Sequence, residues 1–289
     1  MPSEPERRAS PADAFPARLS REIETVLQSR EFESALRSYA CGLMAFYREQ
    51  PTAIGIIGDL GRFAIVSAFI VADAPIPARR IAESLLGPGL AGRQRVNAHV
   101  AFLRRSGALE AFPAARSKGG GLPLAPSPWI IQRVGGWLAA VAGPALVWRA
   151  GEPINLSDPA VQKGYLSQLL TVSRRGGTAF KGLATVGRLM TLTGGHIFMA
   201  ELIAGDIGAD GRSFRFSRTV FSSRYCVSRT HVIDLVREAG AGAGRHAAPR
   251  GYLALSDALR AELRMWAAVN FVLANVALSG RLTEYVEAS

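Results

Sequence analysis

At 289 residues, 48% of them hydrophobic and 8% aromatic, the chain is long enough for two globular units and has apolar residues enough for a packed core. Its 34 Lys and Arg against 23 Asp and Glu leave a net charge of +11 and a pI near 10.5 in a chain that is only 20% charged. So strong a basic excess points to a polyanionic partner, either nucleic acid or an anionic membrane surface. Two distant cysteines, Cys41 and Cys226, fit neither a metal-ligand nor a redox spacing and agree with a cytoplasmic compartment.

Residues 1–18 are polar and proline-rich, without the apolar run of a secretory signal, and read as a flexible N-terminal arm. Residues 19–150 then hold N-terminal helices within Glu22 to Glu49, followed by a first unit. The run Gly55-Ile-Ile-Gly-Asp-Leu-Gly61 lacks the preceding strand and the spacing of a nucleotide loop, and reads as a turn entering a helix. That helix spans Asp59 to Asp73, with apolar spacing through Phe63, Val66, Phe69 and Ile70, and ends at the breaker run Ala74-Pro-Ile-Pro77. A short helix, Ala78 to Leu86, and the glycine-rich turn Gly87 to Gly92 precede a longer helix, Arg93 to Ser106. Leu109 to Phe112 and Leu122 to Leu124 flank the basic, glycine-rich Ser117 to Gly121 as the two strands and tip of a wing. A long apolar helix, Pro128 to Val147, closes the unit.

Residues 151–195 form a helical bridge, with a helix over Asp158 to Arg174, and residues 196–289 repeat the first series. The repeat holds helices over His196 to Ile207, Phe216 to Tyr225 and Ser228 to Ala239. A glycine-rich loop, 241–250, leads to a strand over Gly251 to Leu255 and a long helix, Asp257 to Leu278, capped by Ser256. Self-similarity supports the repeat. His99-Val-Ala-Phe-Leu-Arg-Arg-Ser-Gly107 resembles His231-Val-Ile-Asp-Leu-Val-Arg-Glu-Ala239, with His, Val, Leu and Arg shared at an offset of 132, and Leu124-Ala-Pro-Ser127 resembles Leu253-Ala-Leu-Ser256 at 129. The predicted fold is mainly α with small β-ribbons (α+β): tandem winged helix-turn-helix units forming an internal pseudo-dimer. The two long apolar stretches are bounded or broken by Arg133, Arg149, Asn270 and Asn275 and read as core helices, with no membrane insertion.

Charge is concentrated where this organisation places nucleic acid. Residues 93–118 carry six basic residues against one acidic, and residues 212–250 carry eight against two, which accounts for the whole net charge. At the start of a second helix, side chains reach base edges. The candidates are Arg93, Gln94, Arg95 and Asn97 in the first unit and Ser228, Arg229, Thr230 and His231 in the second. Arginine pairs with guanine, and Gln or Asn with adenine. Wing residues Arg116, Lys118, Arg245, His246 and Arg250 are candidates for phosphate or minor-groove contact.

The stretch Ser222-Ser-Arg-Tyr-Cys-Val-Ser-Arg-Thr-His-Val-Ile-Asp-Leu-Val-Arg-Glu-Ala239 resembles the helix-turn-helix of bacterial winged-helix regulators, with Cys226 where a turn glycine is common. The stretch from Ile81-Ala-Glu-Ser-Leu85 to Leu109 is similar to the same element in a MarR-like setting. The resemblance implies a double-stranded-DNA-binding transcription regulator that reads two adjacent half-sites, as a monomeric pseudo-dimer or a homodimer. Trp129, Trp137, Trp148 and Trp266 read as core, with a cleft between the two long helices as the place for a small-molecule effector.

The four histidines, His99, His196, His231 and His246, have no metal spacing, and no nucleophile elbow or phosphate-loop lysine is present, so neither cofactor nor enzymatic activity is expected. The alternative is a winged-helix module that binds another protein or an anionic membrane surface; an enzyme is a distant third.

Overall fold

The computed structural model describes residues 17–87, 89–112, 121–149, 153–174, 182–205, 213–240 and 251–280. Among them the chain is mainly helical with small antiparallel sheets. It begins with α1 (Ala17–Gln28), α2 (Phe32–Glu49) and the short α3 (Ala53–Ile57). Asp59 then starts α4 (Leu60–Val71), its carboxylate accepting from the backbone N–H of Arg62.

After α4, Ile76 and Pro77 form β1, which leads directly into α5 (Ala78–Leu86); α6 (Arg93–Arg105), β2 (Leu109–Ala111) and β3 (Pro123–Pro126) follow. The three strands form one antiparallel sheet in the order β1-β3-β2, with Ile76 opposite Leu124 and Leu109 opposite Pro126. Pro77 lies on the edge strand β1, and the prolines of the central β3 are its first and last residues, Pro123 and Pro126. α7 (Pro128–Ala142) opens with Pro128 at its first position, and Pro144 falls where the α-helix gives way to a 3-10 segment, Gly143–Trp148.

The second half runs α8 (Pro159–Arg174), α9 (Ala184–Thr191), α10 (Gly195–Ala204), β4 (Ser213–Arg215), α11 (Arg218–Tyr225), α12 (Arg229–Gly240), β5 (Tyr252–Ala254) and α13 (Asp257–Leu278). β4 and β5 pair antiparallel, with Phe214 opposite Leu253. Ser217 caps α11 and Ser256 caps α13, each hydroxyl accepting from the N–H three residues on. The order helix, strand, helix, helix, strand, helix runs from α10 to α13, and α4 to α7 follows it with one strand more, since β2 and β3 both lie between α6 and α7.

Packing between the halves is crosswise. α2 packs on α10 as well as on α7, and α8 packs on α4 as well as on α13. The loops entering α4 and α10 also meet, the N–H of Gly194 donating to the carbonyl of Gly58 at 2.9 Å. Gly194 has φ of +81°, and a Cβ there would lie 3.0 Å from Val227, so the seam needs glycine for both conformation and space. Buried residues from both halves form one continuous core.

By length and composition two stretches, Pro128–Trp148 and Asp257–Leu278, would be long enough to cross a membrane. α13 sits inside the fold instead, packed by α1, α7, α8 and α9, with Trp266, Phe271 and Val269 buried.

Candidate nucleic-acid interface

The turn between α5 and α6 is anchored by buried Leu90 and Ala91, whose N–H groups both donate to the carbonyl of Leu85. α6 then buries Val96, His99, Val100 and Leu103 along one face. That spacing leaves Arg93, Gln94, Arg95 and Asn97 on the outer face, all exposed.

One of the four is engaged within the protein. The Arg95 Nη2 donates to Asp59 Oδ1 at 2.5 Å, and Asp59 is only 1% exposed while Arg95 is 44% exposed. Arg62 adds a second cation, its Nε 3.2 Å from the other carboxylate oxygen. Gly61 leaves room for this arrangement, since a Cβ there would lie 2.8 Å from Arg95 Cζ. Arg95 therefore ties the start of α6 to the cap of α4, while Arg93, Gln94 and Asn97 carry the outward chemistry.

Beneath this face His99 donates from Nε2 to the carbonyl of Ile56 at 3.0 Å. Burial, with Arg62 beside it, lowers its pKa to about 4, so the ring is neutral at pH 7.

The second unit reaches a similar surface by different local chemistry. Cys226 ends α11 in the left-handed region at φ of 53°, the turn position that glycine usually fills. The Ser222 hydroxyl holds the turn by donating to the carbonyl of Val227 at 2.7 Å. Ser228 Oγ accepts from the backbone N–H of His231 at 3.3 Å and lies 3.0 Å from its Nδ1, so this pair closes the helix start. α12 buries Val232, Leu235 and Ala239, which leaves Arg229 and Thr230 exposed beside that cap.

Counted from the helix starts, His99 is the seventh residue of α6 and His231 the third of α12. One is buried and the other exposed. The offset of 132 therefore matches sequence but not helix register, and the expectation that the two histidines share a position is corrected. At the offset of 129 the structural positions agree: Ser127 and Ser256 are the N-cap residues of α7 and α13.

The wing candidates Arg116, Lys118, Arg245, His246 and Arg250 lie outside the described residues. Comparison with protein-family models, with curated proteins and with solved structures finds no match.

The sequence reading passed over several residues on these faces. Arg104 and Arg105 line an open hollow with Ala101, Leu109 and Ala111, between α6 and the sheet. Arg80 near the start of α5 and Arg218 at the start of α11 are exposed. On α12, Ile233 and Arg237 are exposed four and eight residues after Arg229, on the same face. The i, i+4 spacing was the available signal for these two.

The space between α7 and α13, expected to hold an effector, contains aromatic side chains. His196 lies edge-on to Trp137 and Trp266, ring centroids 6.1 and 5.3 Å away, and its Nε2 is 2.8 Å from the hydroxyl of Tyr39. Burial lowers the His196 pKa to about 3 and raises that of the Tyr39 hydroxyl, so both are neutral across the physiological range. Among the described residues no group of three or more His, Cys, Asp or Glu could hold a metal ion.

Proposed function

We propose that this protein is a double-stranded-DNA-binding transcription regulator whose two winged helix-turn-helix units sit on one chain as an internal pseudo-dimer. The observation that carries the reading is the shared surface chemistry of α6 and α12. Each is the second of two consecutive helices, joined through residues 87–92 in one case and 226–228 in the other, buries one face in the core, and presents an arginine in its exposed first turn: Arg93 and Arg229. The basic excess concentrated in residues 93–118 and 212–250 supports a phosphate-bearing partner at both. The crosswise packing of α2 on α10 and α8 on α4 supports reading the two halves as the equivalents of two subunits. A small-molecule effector between the two long helices belongs to the same proposal.

The test is binding of the full chain to a pool of random-sequence duplexes by fluorescence anisotropy, at salt between about 0.05 and 0.2 M. Affinity should fall steeply with salt, and repeated selection should return a two-part site. Arg93→Ala and Arg229→Ala should each relax preference in one part by about 1 to 3 kcal/mol. Affinity that is equal for all duplexes would replace sequence reading with general DNA binding. Absence of saturable binding would sink the proposal.

A further inference from the structure

The outer face of α12 holds a side chain that a phosphate-binding surface does not explain. Ile233 is 42% exposed, although the buried face of its helix, at Val232, Leu235 and Ala239, is complete without it. It stands between two arginines, Arg229 one turn before and Arg237, which pairs with Asp234 at 3.0 Å, one turn after, with Thr230 three residues before. A large apolar side chain flanked by arginines fits a polyanion that also presents an apolar group. In the major groove of DNA that group is the 5-methyl of thymine, since the other base edges offer hydrogen-bond donors and acceptors.

Resting on the DNA-binding reading above, we infer that Ile233 contacts the methyl group of a thymine and fixes that base in the half-site of the second unit. The first unit has a polar residue at the same place. Asn97 is the fifth residue of α6, as Ile233 is the fifth of α12. An asparagine pairs with the N6 and N7 edge of adenine, so the two half-sites differ at the matching base: an adenine contact in one, a thymine methyl in the other. This gives the operator a direction that identical units could not.

The experiment starts from the duplex returned by selection with the full chain. Each thymine is replaced in turn by deoxyuridine, which removes the methyl and leaves the pairing edge intact. For the wild-type protein one replacement should weaken binding about fourfold, the loss expected when one methyl-sized apolar contact is removed. Ile233→Ala should weaken binding to the unmodified duplex by at least as much and show no further loss on the uridine duplex. Asn97→Ala should retain the full difference between thymine and uridine. Thermal melting should be the same for Ile233→Ala and the wild type, since the side chain is outside the core.

Saturable binding with no uridine-sensitive thymine would overturn the inference alone and leave the DNA reading standing. So would a uridine effect that survives in Ile233→Ala. No saturable binding to any duplex would overturn both.

Discussion

At the scale of single residues, Asp59 is the group on which the first unit turns. Its buried carboxylate caps α4 and holds both Arg62 and Arg95, so it joins the core side of the unit to the outward helix. Removing it loses a helix cap and leaves two cations without their anion. Asp59→Ala should therefore cost about 2 to 3 kcal/mol, seen as a lower urea midpoint. Arg95→Ala should cost less, about 1 kcal/mol, because Arg95 is half exposed and Arg62 still faces the carboxylate. Arg93→Ala should leave the midpoint unchanged while weakening DNA binding. Equal midpoints for Arg95→Ala and wild type would show that the tie does nothing for stability. The outward position of Arg93, Gln94 and Asn97 was legible from the 3.6-residue period of Val96, Val100 and Leu103. The engagement of Arg95 was not, because its partner lies 36 residues earlier, and periodicity carries no information about contacts across the chain.

At the scale of elements, helices with apolar stripes and the strands β2, β3 and β5 beside glycine-rich turns were legible, while β1, β4 and α9 were not. α4, α5, α6, α12 and α13 lie within a residue or two of their sequence-based limits, because caps such as Asp59 and Ser256 and the breaker at Pro75 mark them. β1 and β4, two and three residues long, exist only through pairing with β3 and β5, which local sequence does not display. α9 was passed over for a related reason: part of what stabilises its start comes from another helix. The Glu262 carboxylate of α13 accepts from the N–H groups of both Thr185 and Val186 at 2.8 and 2.9 Å, satisfying two of the donors that a helix N-terminus leaves open. Glu262→Ala should lower stability by about 1 kcal/mol and speed amide exchange in α9 more than in α4 or α6. Glu262→Gln keeps an acceptor and should lose less. Unchanged exchange in α9 for Glu262→Ala would mean that the contact does not support the helix.

At the scale of the whole molecule, the two halves share one core, and two histidines, the buried His99 and the half-buried His196, make that core sensitive to acid. His196 stands where α2, α7, α10 and α13 meet, against Tyr39, Trp137 and Trp266. His99 stands under the outer face of α6, bonded to Ile56. Burial is the main cause of both depressed values, about 3 for His196 and about 4 for His99. Unfolded histidine titrates near 6.5, so below that pH the unfolded chain takes up two protons that the folded chain refuses. The stability associated with neutral rings is complete above pH 6.5 and declines as pH falls toward the folded values. Each ring contributes a slope of about 1.4 kcal/mol per pH unit, so by pH 5 the two together should remove about 4 kcal/mol, a large share of the stability of an ordinary domain. This window lies above the range in which most carboxylates titrate, which lets the histidine contribution be read separately. Urea unfolding at pH 7, 6 and 5 should show the decline, and His99→Gln should remove about half of the dependence while leaving that of His196. Because a single core spans both halves, the loss should appear as one cooperative transition moving to lower urea, with α6 and α12 amides losing protection together. A midpoint equal at pH 7 and pH 5 would mean that both rings accept a proton within the fold, and half the expected decline that one does. Two separate transitions would mean that the crosswise helices do not couple the halves.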